Sequence, residues 1–121
     1  MPYASLEDLT DRFGERMLVA LTDRADTPTG EVDSDVVDRA LTDTDALIDG
    51  YLAARYALPL DAVPPLVVDL AQTIAIWKLH TAAPDPKIEE DYKLALKSLE
   101  AISKGTIRLG VAGLEPETSG A

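Results

Sequence analysis

Residues 33–56 read DSDVVDRALTDTDALIDGYLAARY, and this stretch decides the fold. Its apolar side chains recur at spacings of three and four residues, which places them on one face of an α-helix. They are Val36, Val37, Ala40, Leu41, Leu47, Ile48, Tyr51 and Leu52. We therefore predict one helix over about 34–56, roughly 33 Å long at the standard rise, as the spine of a small helical bundle.

The same stretch carries a series of aspartates between its apolar positions. A calcium-binding loop would need a further ligand at Leu47 and a glycine at Ile48, so that motif is not matched. A solvated helix face explains the acids without a ligand. The acids predicted to form this face are Asp33, Asp35, Asp38, Asp43, Asp45 and Asp49.

Two more helices are predicted after the spine. Residues 64–80 leave almost no polar face, so this helix must be covered on most sides, as a central helix or a subunit contact. The last helix spans 86–104, because Asp85 can cap it, Pro86 suits its first position and Gly105 can end it.

The N-terminal part is predicted to contain two short helices. Ser5 can cap the first, Gly14 stops it, and residues 15–21 make another turn or two before a polar loop over 22–30. The whole pattern predicts an all-α fold, with a single helical domain over 1–105.

Residues 106–121 are predicted to form an extended tail that a partner chain orders. A short strand over 107–111 has no predicted strand within the chain to pair with. Two interpretations of the tail's apolar residues stay open, namely packing on their own domain and adding to a neighbouring chain by strand or groove contacts. These residues are Ile107, Leu109, Val111 and Leu114.

Composition limits the possible functions. The chain has no cysteine, which excludes disulfides and thiolate chemistry, and 22 acidic against 11 basic residues give a net charge of -11. Such a charge repels a phosphate backbone, so direct DNA binding is disfavoured. The apolar stretch over 63–79 is interrupted by polar residues, and we expect neither secretion nor membrane insertion.

No catalytic or cofactor motif stands out. His80 is the single histidine and has no serine elbow to serve, so a helix-end role explains it better. Gly105, Gly110 and Gly113 follow a helix instead of opening one, which argues against phosphate binding. We expect no enzyme activity, no cofactor and no metal site.

Several short motifs nevertheless recur in the order and spacing of a known family. They are Tyr3-Ala4, Leu6-Glu7-Asp8-Leu9, Arg12-Phe13-Gly14-Glu15, Leu21-Thr22-Asp23-Arg24, Ile48-Asp49-Gly50-Tyr51-Leu52, Arg55-Tyr56, Leu58-Pro59-Leu60, Val63-Pro64 and Leu79-His80. In these the chain resembles the small proteins of Mu-like phages and prophages assigned to the head-tail joining region. The resemblance covers most of the chain and fades after Leu109.

The resemblance implies a helical adaptor whose copies form a ring, typically twelvefold, in the neck of the virion. Such a ring would lie between the portal protein and the tail-side connector or stopper proteins, with DNA passing through without specific binding. The protein would be made in the host cytoplasm. By this hypothesis the six aspartates of the acidic face line the channel or face solvent, and the apolar tail residues dock on the portal or a neighbour.

Two alternatives remain beside the adaptor. One is a free acidic protein that mimics DNA and inhibits or regulates a protein with a basic site. The other is a neighbouring connector role, as a stopper or tail-completion protein. A mimic should bind its partner with strong salt dependence, whereas an adaptor should associate mainly through apolar contacts.

Overall fold

The computed structural model describes residues 2–110, and this part of the chain contains helices and no strand. The helices are α1 (Leu6–Phe13), α2 (Glu15–Thr22), α3 (Ser34–Leu52), α4 (Pro65–Lys78) and α5 (Pro86–Ser103). The prediction of an all-α bundle with a long α3 is confirmed.

The predicted caps begin the helices as expected. The Ser5 hydroxyl accepts the backbone N–H of Asp8 at 3.1 Å, while the Asp8 carboxylate accepts the Ser5 N–H at 3.0 Å. Asp85 likewise accepts the Lys87 N–H at 2.8 Å, and Asp33, for which no cap was predicted, accepts the Asp35 N–H at 3.0 Å in the first turn of α3. Gly14, with φ of +93°, separates α1 from α2. Local side-chain chemistry therefore sets where these helices start.

The end of α3 differs from the prediction, because the helix stops at Leu52 and not at Tyr56. The N–H groups of Arg55 and Tyr56 both donate to the Leu52 carbonyl, at 3.0 and 2.8 Å, which closes a turn. This turn returns the Tyr56 side chain to the core, so its burial continues the apolar pattern after the helix has ended. The predictions for α4 and α5 extend two residues and one residue too far.

The core forms around α4, which packs against α3, α5 and α1. Its largest buried side chains are Val67, Leu70, Ile74 and Ile76, and they meet Ile48 and Leu52 of α3 and Leu99 and Ile102 of α5 in one cluster. The prediction of a central helix is thus confirmed, and its nearly continuous apolar surface is explained by neighbours on several sides.

An aromatic pair joins α4 to α5. The rings of Trp77 and Tyr92 stack with centroids 3.9 Å apart and planes 5° from parallel. The Trp77 indole N–H donates to the Glu89 carboxylate at 3.2 Å. Stacking and this hydrogen bond together fix the separation of the two helices at this level.

The chain after α5 stays beside the C-terminal ends of α3 and α5. The N–H groups of Thr106 and Ile107 donate to the Ala101 carbonyl, at 2.9 and 3.2 Å, and the Leu109 N–H donates to the Tyr56 hydroxyl at 3.2 Å. Residues 106–110 form no strand, and Val111 and Leu114 lie outside the described residues. No helix within residues 2–110 is both long enough and apolar enough to cross a membrane.

Candidate interaction surface

An apolar groove lies between α4 and α5. Leu66 and Leu94, the large hydrophobic side chains that are most exposed in the described part of the chain, line it with 37% and 49% of their surface accessible. The groove has a volume of about 350 Å³. Its other lining residues are Arg12, Asp69, Leu70, Thr73, Lys87, Asp91, Ala95 and Ser98. Apolar side chains left open beside a groove are typical of a surface that meets another protein.

A second, larger groove adjoins the first at the beginning of α5, and we call it the α5 groove. It measures about 600 Å³ and shares three lining residues with the first, so the two form one continuous surface. Its lining consists of Arg12, Phe13, Met17, His80, Asp85, Lys87, Ile88 and Asp91. Four helices or their ends contribute to it, which makes it a product of the tertiary fold.

The polar rim of these grooves consists of exposed charges in pairs. Arg12 Nη1 lies 2.8 Å from the Asp69 carboxylate, and its guanidinium lies over the Phe13 ring at 5.1 Å. Lys87 Nζ lies 2.8 Å from the Asp91 carboxylate one helical turn away. Exposed pairs of this kind contribute about 0–1 kcal/mol, so a partner's charges can replace them at little cost.

The predicted acidic face is only partly present. Asp33, Asp35, Asp38 and Asp43 are exposed. Asp33 has a structural task as well, since it caps α3. Their position relative to a channel stays a prediction.

Asp45 and Asp49 depart from the prediction of a solvated face, because both are half-buried beneath the N-terminal segment. The Tyr3 N–H donates to the Asp45 carboxylate at 3.0 Å, and the Tyr3 hydroxyl donates to the Asp49 carboxylate. Burial raises the pKa of Asp45, and the nearby Asp49 charge adds to this, while the bond from Tyr3 opposes it. Burial and the bond to Asp49 also raise the pKa of Tyr3. These two aspartates therefore anchor the N-terminus.

The predicted tail-docking residues divide into two groups. Ile107 and Leu109 are half-buried and pack against the chain's own core, so only their exposed parts remain for a partner. Val111 and Leu114 are outside the described residues. A docking role for these four residues stays a prediction.

The described residues offer little to a metal ion. Within 2–110 no three His, Asp or Glu side chains converge as ligands would. The His80 ring lies at the end of α4 with Nδ1 2.8 Å from the Ile76 carbonyl, in the helix-end position expected of it. Neither groove was predicted from the sequence. The one sequence feature that could have indicated them was the excess of apolar residues on α4.

Comparison with known proteins gives concordant matches over nearly the whole chain. The family model described as "Bacteriophage Mu, Gp36" matches residues 3–121. "Gene product J" of Escherichia phage Mu is 38% identical over 111 residues, which cover 92% of this chain and 78% of that protein. "Mu-like prophage FluMu protein gp36" of Haemophilus influenzae is 30% identical over 110 residues, covering 91% and 77%.

Proposed function

Because the chain belongs to the bacteriophage Mu Gp36 family, we propose that it is a virion protein acting as an adaptor subunit of the head-tail connector. Its copies form a ring in the neck, between the portal protein and the tail-side connector or stopper proteins. The protein has a structural role there and no catalytic one.

The observation that carries the proposal is the open apolar surface between α4 and α5. Leu66 and Leu94 keep 37% and 49% of their surface exposed in the described part of the chain, although the core closes around α4. Burying such side chains against a neighbour contributes about 25 cal/mol per Å² of apolar surface. An assembled subunit removes this surface from water, whereas a free protein leaves it exposed.

The charge distribution suits a protein that surrounds DNA without holding it. Residues 1–62 carry 14 acids and 5 bases, whereas residues 63–121 carry 8 and 6. The exposed acids of the first half include Asp33, Asp35, Asp38 and Asp43, at the start of α3 and along it. If this face lines the channel, its negative potential keeps the phosphate backbone from adhering while the DNA moves.

Electron microscopy of purified phage particles tests the proposal directly. Particle averaging should reveal a closed ring of this chain between portal and tail, with α4 and α5 at contacts between proteins. Density for the chain at a single, non-ring position in the neck would favour a stopper or tail-completion role instead. Absence of the chain from finished particles would discard the adaptor.

The DNA-mimic alternative makes a separate prediction. A mimic would bind a basic protein through its exposed acids, and its affinity would fall steeply as salt is raised. An adaptor association through Leu66 and Leu94 would change little between low and high salt, because apolar contacts are not screened. Measuring association with a partner at two salt concentrations therefore separates the two functions.

A further inference from the structure

Arg55 carries a charge that the described chain leaves without a partner. Its side chain is half-buried, and its Nε and Nη2 atoms are shielded from solvent with no hydrogen-bond acceptor in residues 2–110. No carboxylate of these residues forms an ion pair with it. Buried polar groups are nearly always hydrogen-bonded, and an unpaired one costs free energy. The folded subunit therefore holds a cationic group that lacks an anion.

A guanidinium group cannot avoid this cost by losing its proton, since arginine stays charged in proteins. An anionic acceptor from another molecule would remove the cost instead. Arg55 can turn toward such an acceptor, because Nε and Nη2 lose no hydrogen bond by moving. Its guanidinium also lies against Gly105, which has no side chain to hold it in place. A carboxylate suits it well, because two carboxylate oxygens match two guanidinium N–H groups.

The beginning of α3 presents a carboxylate that also lacks a partner. Asp38 is exposed and forms no ion pair within the described chain. Its neighbours one helical turn away are Ser34, Asp35, Leu41 and Thr42, and none of them is a base. Asp38 is the fifth residue of α3, whereas the helix dipole favours acids mainly in the first turn. Neither a local base nor the dipole therefore stabilises this charge.

The two unpaired groups lie at opposite ends of α3. Asp38 is 14 residues before Leu52, the last residue of the helix, which is about 21 Å at the helical rise. The Arg55 N–H donates to the Leu52 carbonyl at 3.0 Å, and this bond fixes the Arg55 backbone at that end. An arginine side chain is much shorter than the separation, so Arg55 cannot meet Asp38 of its own chain.

We propose that Arg55 of one copy binds the Asp38 carboxylate of the next copy. A cation at one end of α3 and an anion at the other make the contact head-to-tail, and copies related by such a contact can close into a ring. The pair is partly buried between the copies, so salt screens it less than it screens exposed charges. The inference rests on the proposed adaptor function and assigns a contact within its ring.

Charge reversal tests the contact, with self-association of the chain measured by sedimentation equilibrium. Arg55→Glu and Asp38→Arg should each weaken the association by at least about tenfold, because an attraction becomes a repulsion. The double variant carries the same pair with its charges exchanged, so its affinity should return to within about threefold of the natural chain. Failure of the double variant to recover, or a natural chain that stays monomeric, would overturn the proposal.

Two control variants separate the pair from an effect of net charge. Arg16→Glu changes an exposed arginine of α2 by the same charge and should alter the affinity by less than about threefold. Arg55→Glu combined with Asp11→Arg restores the net charge at an exposed position of α1 and should stay as weak as Arg55→Glu alone. Recovery in this variant would refute the assignment to Asp38. Circular dichroism checks that each variant keeps its helices, and Asp38→Arg tests the contact at an exposed site if Arg55→Glu does not fold.

The association measurements and the neck structure can fail separately. Recovery in the charge-exchanged variant of a chain that is absent from the neck would keep the contact and discard the adaptor. A ring in the neck whose neighbouring copies do not bring Arg55 beside Asp38 would keep the adaptor and discard this contact.

Discussion

Tyr3 fastens the beginning of the chain to the middle of α3, through its N–H to Asp45 and its hydroxyl to Asp49. Tyr3→Phe keeps the buried ring and removes only the hydroxyl, leaving Asp49 without this donor. We expect the free energy of unfolding to fall by about 1–2 kcal/mol, measured by urea denaturation, because a hydrogen bond to a charged acceptor is lost at a partly buried site.

Tyr51→Phe is the matched control for this prediction. The Tyr51 ring is half-buried as well, but within residues 2–110 its hydroxyl makes no hydrogen bond. Its removal should change the free energy of unfolding by less than about 0.5 kcal/mol. Equal losses in the two variants would contradict the role given to the Tyr3 hydroxyl.

Asp45 makes stability depend on pH in a direction that its environment sets. Burial raises its pKa above the ordinary 3.8, so the folded chain binds this proton more tightly than the unfolded chain. The corresponding stability is present below the ordinary value and is lost as pH rises through the folded value. In the Asp45→Asn variant the side chain cannot ionise, so the variant should not lose this stability as pH rises.

The difference in free energy of unfolding between Asp45→Asn and the natural chain should therefore vary with pH. The variant should be the more stable at neutral pH by a fraction of a kcal/mol, since the carboxyl remains partly solvated. The advantage should shrink as pH is lowered to about 4. Urea denaturation across this range measures it, and an advantage that grows toward acid would contradict the raised pKa.

Single residues are predictable from the sequence where their partners are local. Ser5 and Asp85 accept N–H groups three and two positions ahead, and a cap can be recognised in such a short stretch of sequence. Asp45 and Asp49 cannot be placed correctly in this way, because their partner Tyr3 is 42 and 46 residues away. Their spacing on α3 alone indicates a solvated face.

The end of α5 depends on a glycine with a close neighbour. Gly105 has φ of +81°, and a Cβ there would lie 2.6 Å from Arg55 Cζ. Arg55 Nε and Nη2 are buried and have no hydrogen-bond partner within the described chain, so the flexible side chain loses no hydrogen bond at these atoms when it swings aside. Gly105→Ala should therefore lower the free energy of unfolding by about 1–2 kcal/mol, mainly from the left-handed backbone.

Gly30→Ala isolates the strain from the clash. Gly30, in the loop before α3, has a similar φ of +76°, but a Cβ added there would meet no atom within 4 Å. The expected loss is about 1–2 kcal/mol, from the left-handed backbone alone. Thermal or urea unfolding should show similar losses for the two variants, and a clearly larger loss for Gly105→Ala would show that Arg55 does not move aside.

The starts and ends of the helices show which boundaries of an element can be predicted from the local sequence. The predicted starts agree with the structure to within a residue, because caps and prolines mark them. The predicted end of α3 is four residues late, since Tyr56 keeps the helical spacing while a turn at Leu52 carries it into the core. An apolar residue at helical spacing is therefore expected to be buried, but the spacing does not show whether a helix or a turn brings it into the core.

The apolar surface between α4 and α5 allows a prediction for the whole molecule. Leu94→Gln changes a side chain that is 49% exposed, so the free energy of unfolding should move by less than about 0.5 kcal/mol. Association with its neighbours should weaken by about 1–2 kcal/mol, or roughly tenfold in affinity, because apolar contact area is lost. Sedimentation of the assembled protein, or its incorporation into particles, measures this.

Lys97→Gln on the same helix is the control for Leu94→Gln, because Lys97 is exposed and lies outside both grooves. It should leave both folding and association unchanged. If the two glutamine variants assemble equally well, the surface around Leu94 is not a contact. Neither groove is predictable from sequence, since each collects residues from helices far apart in the chain.

The stacked pair that joins α4 to α5 has a practical consequence. Trp77 is the sole tryptophan of the chain, and it stacks on Tyr92 while its indole N–H binds Glu89. Its fluorescence therefore has one source, located at the junction whose outer edges carry the open apolar surface. Any partner that spreads or tightens this junction changes the emission of the natural, unlabelled protein, so assembly can be followed in solution as it happens.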